Sequence, residues 1–190
     1  MPLRLSACLL AALFVIACAE PPNKEMDQAQ GAIDAARAAG ADRYASGEYT
    51  AATDALKRAQ DAVTQGDYRQ ALNEALDSRE HAQNAAREAA ETRAQLRGEV
   101  ERDMAQIAGL IAEANTRLAA ANRTRTPRRV IDTSRRELAA VNDPVQKAGA
   151  AMKADDYLSA RTALQGVKER IERTLKALEA PAVQSSRRAR

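Results

Sequence analysis

From Asp67 to Asn122 the chain runs roughly 56 residues without a proline, and only Gly98 and Gly109 weaken the run. Alanine, glutamate, glutamine, arginine and leucine fill it, the residues that lose least on entering a helix, and few β-branched residues oppose them. An unbroken helix over this stretch would reach about 80 Å at 1.5 Å per residue. Such an element constrains everything else, because the rest of the chain must be short helices laid along it. Turn signals at Ser46-Gly47, Gln65-Gly66, the segment NRTRTPRR and Asp155-Asp156, with Pro181 as a stop, predict helices at about 24–45, 48–65, 67–122, 128–153 and 156–180. The expected fold is all-α: an elongated antiparallel helical bundle or coiled coil of about five helices sharing one long central helix.

Composition sharpens this. Hydrophobic residues make up 45% of the 190, yet aromatics are 3%, tryptophan is absent and the single phenylalanine is Phe14. A large buried side chain contributes about 1.5–3 kcal/mol and a methyl far less, so thin helical packing is expected instead of a thick core. Apolar positions alternate at three and four, the spacing of a helix-helix seam. The stripes are Met26, Ala29, Ile33, Ala36 and Gly40; Val100, Met104, Ile107, Ile111, Ala114, Leu118 and Ala121; Ile131, Ser134, Leu138, Val141, Val145, Ala148 and Met152; and Tyr157, Ala160, Leu164, Val167, Ile171, Thr174 and Leu178. Pro144 predicts a kink, or a restart capped by Asp143. Between Ala82 and Ala94 only alanines are available for burial, so this middle is expected to be the most labile part.

The N-terminal residues carry the address. After Arg4 comes the apolar run LSACLLAALFVIA, the layout of a secretory signal peptide and too short for a spanning helix, which needs about 20 residues. Val15, Ile16 and Ala17 before Cys18 resemble the bacterial lipobox. That resemblance implies a diacylglycerol on the Cys18 thiol, removal of residues 1–17 and acylation of the new N-terminus. One acyl chain anchors marginally and two or more anchor stably. Ordinary cleavage after Ala19 is the competing reading. By resemblance to lipoprotein sorting signals, the lack of aspartate at position 19 points to the outer membrane, with the body facing the periplasm. Residues 18–23 then form the lipidated cysteine and a stiff proline spacer that lifts the first helix off the membrane. Cys8 leaves with the leader, so no intramolecular disulfide is expected.

A weak repeat recurs as SGEYTAATDAL (46–56), QGDYRQALNEAL (65–76) and ADDYLSARTAL (154–164). Each is expected to open a helix, with Tyr49, Tyr68 and Tyr157 as structural packing wedges whose hydroxyls reach water. The first two copies resemble helix starts of tetratricopeptide repeats, which would imply a peptide-binding groove beside Tyr49 and Tyr68, although the tyrosine spacing departs from the 34-residue period. The segment around AIDAARAAGADRYASGEY, with Gly40 and Tyr44, continuing through TAATDALKRAQDAVTQGDYRQALNEALDSREHAQNAAREAA, resembles the bacterial DUF4398 lipoproteins. This implies an envelope lipoprotein of undefined biochemical role with a DUF4398-like region over 24–95; the turn signals and composition add a C-terminal helical bundle over 96–180 sharing the long helix and a basic disordered tail over 181–190.

The chemistry of catalysis is missing from the pattern. His81 is the single histidine and is expected at a solvated position; the usual zinc sets need several histidines or cysteines, and all eight glycines are isolated, leaving no phosphate-binding loop. The chain is expected not to be an enzyme, and to carry no cofactor besides the covalent lipid on Cys18. Its charge, 29 basic against 26 acidic residues, is uneven: seven arginines but only Asp132 as an acid lie between 117 and 136. Arg123, Arg125, Arg128 and Arg129 are candidate anion or partner contacts. Without interleaved aromatic platforms, nucleic acid is not the expected partner. The reading is a structural or adaptor lipoprotein, anchored in the membrane by its lipid and meeting an envelope protein or the cell wall. Alternatives are a tetratricopeptide-like binding module, such as a pilotin or assembly factor, and direct binding of peptidoglycan or lipopolysaccharide through the arginine-rich turn. Long seams also suggest homo-oligomers.

Overall fold

The computed structural model describes residues 20–124 and 126–188, with side chains as far as Glu179. Its regular elements are helices: α1 (Asn23–Ala38), α2 (Ala41–Tyr44), α3 (Ser46–Thr64), α4 (Tyr68–Ala121), α5 (Arg128–Ala140), α6 (Asn142–Lys153), α7 (Tyr157–Leu164) and α8 (Val167–Arg188). The all-α bundle expected from the sequence is what forms, and α4 is one continuous helix of 54 residues. Two compact units divide between Ala90 and Glu91, inside α4.

The first unit packs α1, α2 and α3 with the start of α4. Its buried face is built largely of methyl groups: Ala29 and Ala36 from α1, Ala52, Ala55, Ala59 and Ala62 from α3, and Ala71, Ala75, Ala82, Ala85 and Ala89 from α4. Ile33, Leu56 and Tyr44 are the larger members. Small side chains let helix backbones approach, and Ser78 of α4 uses that closeness: fully buried, its hydroxyl donates to the Ala52 carbonyl of α3 at 2.8 Å. Charged side chains tie the rim, with Arg58 on Glu74 at 2.8 Å and Arg79 donating to Gln28 at 2.7 Å.

The second unit has larger side chains. Val100, Ile107, Leu118, Ile131, Leu138, Val141, Leu164, Val167, Ile171, Leu175 and Leu178 form one cluster drawn from α4 through α8. Within it α6 packs on α7, and α5 on α8. Outside the cluster, Arg117 pairs with Glu113 at 2.7 Å and with Glu179, and Arg170 pairs with Glu137 at 3.3 Å.

Among the described residues eight helices replace the expected five, because three short breaks interrupt helices without disturbing the apolar stripes. Gly40, at φ +84°, separates α1 from α2. Gly166, at φ +74°, separates α7 from α8, where a continuous helix was expected. The third break falls at Val141 instead of Pro144. Pro144 then occupies the first turn of α6, where a missing N–H costs nothing. Asp143 does not cap that turn and instead pairs with Lys147 at 2.8 Å. At the far end α8 runs on through Pro181 to Arg188 instead of stopping there. An interior proline removes one backbone bond and bends a helix, which need not terminate it.

Two of the three repeat copies turn out to be one chain-reversing device. Gly66, at φ +76°, follows α3; its N–H reaches the Val63 carbonyl, and the Asp67 N–H reaches the Ala62 carbonyl. Asp67 then caps α4 by accepting from the Gln70 N–H at 2.9 Å. At the second copy Asp155 takes the left-handed position, at φ +56°, with matching bonds to Met152 and Ala151. Asp156 caps α7 by accepting from the Ser159 N–H at 3.1 Å. Both reversals are Schellman motifs feeding an aspartate N-cap, with tyrosine as the first helical residue. The copy at 46–56 departs: Ser46 already lies in α3, so Tyr49 sits inside that helix and does not open it.

Candidate functional site

Cys18 and Arg125 lie outside the described residues. From Glu20 onward the chain does not stand clear as a stiff spacer. Pro22 is buried, the Asn23 N–H bonds back to the Pro21 carbonyl at 2.8 Å, and α1 begins at once. The start of α1 and the start of α4 together enclose an open cleft of about 680 Å³, lined by Glu20, Pro21, Pro22, Asn23, Lys24, Glu25, Tyr68, Arg69 and Leu72. The turn at Pro21–Asn23 leaves residues 20–25 facing the start of α4 across that cleft.

The three tyrosines have different surroundings. Tyr157 is buried, and its hydroxyl donates to Asp155 at 2.8 Å. That hydrogen bond first, then burial, raises the phenol above its ordinary value near 10. Half-buried Tyr49 accepts from Arg37 Nε at 2.7 Å, with the guanidinium 5.7 Å from its ring centre. Half-buried Tyr68 lines the cleft at the α1 start, which does not include Tyr49. The paired aromatic groove that a tetratricopeptide-like module would use is thus not assembled at that cleft.

Arg123 follows the end of α4, while Arg128 and Arg129 are the first two residues of α5; all three are exposed. No acid occupies the first turn of α5, and the residue before it, Pro127, offers no side-chain cap. Two cations thus stand at the positive end of a helix dipole, an unfavourable placement for stability. Farther along, Arg135 pairs with Asp132 at 3.6 Å, and Arg117 is engaged by Glu113 and Glu179.

His81 is half-exposed and not simply solvated: its Nδ1 lies 2.8 Å from Glu48 Oε2, joining α4 to the start of α3. Thirty-three positions separate the pair, and no local pattern could have announced it. Among the described residues no group of three or more His, Cys, Asp or Glu side chains is placed to hold a metal ion, and no helix is long and apolar enough to cross a membrane.

These features define a helical-bundle protein whose small-residue first unit runs into a long shared helix. Residues 24–99 match the family described as a domain of unknown function, DUF4398, and the chain carries that domain. The match covers α1 to α3 and ends within α4. It includes Gly40 and Tyr44, the pair that carried the sequence resemblance. No curated protein and no solved structure matches the chain.

Proposed function

We propose that this is a lipid-anchored envelope protein that serves as a structural or adaptor element, held in the outer membrane through Cys18 with its helical units in the periplasm. The observation that carries the reading is the seam Val15-Ile16-Ala17-Cys18 followed, five residues later, by the first helix of a DUF4398 domain. A folded body that begins so soon after a lipid-accepting thiol is a body tethered at the membrane surface. Metabolic labelling of the full chain with an alkyne fatty acid tests it. Label on the wild type and none on Cys18→Ala is expected; an unlabelled wild type, or labelling that survives the substitution, overturns it. In-cell crosslinking of the labelled protein then identifies the envelope partner.

A second reading is supported by the arginine-rich turn. Arg128 and Arg129 occupy helix positions where they lower stability, with no acid in that turn to balance them. Contact with an anionic envelope polymer, lipopolysaccharide or peptidoglycan, would account for their presence. Binding should weaken steeply with salt and disappear when Arg125, Arg128 and Arg129 are replaced by glutamate; retention of binding by that variant rejects this reading.

A further inference from the structure

We infer that the end of the first unit formed by the α1 start and the α3–α4 reversal is a membrane-seating surface, in which Tyr68 and Leu72 enter the interfacial zone of a zwitterionic phospholipid leaflet. This rests on the lipidation reading and goes beyond it, since a tether alone does not say which face of the protein meets the bilayer.

Chain length sets the distance. Glu20 is two positions after Cys18, and an extended chain spans at most about 3.6 Å per residue, so Glu20 stands within about 7 Å of the modified cysteine. From Glu20 the chain does not climb away. Pro22 is buried and the turn at Pro21–Asn23 holds Glu20 to Glu25 beside Tyr68, Arg69 and Leu72 around one open cleft. The membrane surface that holds the lipid therefore lies at the mouth of the cleft that the first turn of α4 lines.

The side chains there suit that zone. Tyr68 and Leu72 lie one helical turn apart on α4, both half-exposed, and Leu76, a turn further, is 38% exposed, the large hydrophobic side chain left most open to solvent among the described residues. A tyrosine ring with its hydroxyl toward water is at home at headgroup depth, and a leucine beside it reaches toward the acyl chains. Charges at the same end are mixed: exposed Lys24 and Arg69 alternate with Glu20 and Glu25, and no ion pair among the described residues engages these four. Cations for phosphate and carboxylates for ammonium complement a headgroup that carries both. A polyanionic surface would be repelled by half of them.

The chain has no tryptophan, so a single introduced one reports its own surroundings. Leu72→Trp and, as a comparison, Gln83→Trp at an exposed position farther along α4 are made in the full lipidated protein. Each is reconstituted into phosphatidylethanolamine–phosphatidylcholine vesicles with and without brominated acyl chains. A blue shift and loss of emission at position 72, little change at 83, and insensitivity to salt are expected. Tyr68→Trp repeats the measurement should Leu72→Trp alter the helical circular dichroism. If mass spectrometry shows the lipid on Cys18 and the protein floats with vesicles, yet tryptophans at 72 and 68 stay unquenched, the seating surface is refuted and the anchor stands. A mature protein without lipid that fails to float refutes the anchor and the seating surface together.

Discussion

Tyr44 lays its ring against Gly40 so closely that a methyl group on Gly40 would stand 3.2 Å from Tyr44 Cδ2. Gly40 also holds φ at +84°, a conformation that costs an L-residue about 1–2 kcal/mol. Gly40→Ala is therefore expected to lower stability by about 2 kcal/mol in urea unfolding, from backbone strain and a displaced ring together. Gly31→Ala, in the interior of α1 with open space around it, should raise stability by about 0.5–1 kcal/mol. Equal effects at the two positions would contradict the assigned role of Gly40.

Asp155 does three things at once: it occupies a left-handed backbone position, accepts from the Tyr157 hydroxyl and pairs with Arg93 at 3.2 Å. Asp155→Ala keeps the strained backbone and loses both contacts, whereas Asp155→Gly loses the contacts and relieves the strain. Thermal denaturation should place the alanine variant about 1 kcal/mol below the glycine variant. Asp155→Asn, which tolerates the conformation and keeps an acceptor, should lie above both.

The Tyr157 phenol keeps its proton longer in the folded chain than in the unfolded one, because its hydrogen bond to Asp155 and its burial oppose ionisation. The stabilisation is complete below the ordinary tyrosine value near 10 and is lost as pH rises through the higher folded value. Unfolding measured from pH 9 upward should therefore show stability declining, with a shallower decline in Tyr157→Phe. An unchanged slope in that variant would rule out this linkage.

Arg128→Glu and Arg129→Glu should each raise stability by about 0.3–1 kcal/mol at low ionic strength, because acids suit the N-terminus of α5 and bases do not. Salt should shrink the gain. Stabilisation combined with loss of polymer binding would separate a functional turn from a structural one.

Much of the packing was legible in the sequence because helical periodicity survives interruption. All seven residues of the stripe from Tyr157 to Leu178 are buried, even though Gly166 divides them between α7 and α8. The break itself was not legible: a lone glycine between Leu164 and Val167 leaves the apolar spacing unaltered. Pro144 did announce a restart, since α6 begins two residues before it, but the break lies at Val141 and Asp143 does not cap the new helix. Contacts that join distant positions, Glu48 with His81 or Ser78 with Ala52, follow from how α3 returns along α4, and no local pattern encodes them. The proposed lipidation of Cys18, outside the described residues, rests on the Val15-Ile16-Ala17-Cys18 motif.

The alanine-lined interior of the first unit inverts the usual vulnerability of a protein core. Where Ile171 is fully buried in the second unit, truncation to alanine leaves a cavity and costs about 2–5 kcal/mol. Ala55, Ala59, Ala75 and Ala85 are equally buried but have almost nothing to lose, and there the damaging change is growth. A leucine at any of them would wedge two backbones apart, a cost of about 1–3 kcal/mol or more. Mutational drift in the first unit is thus limited by crowding, and in the second by erosion, so one chain carries two opposite rules for which side chains its interior can accept.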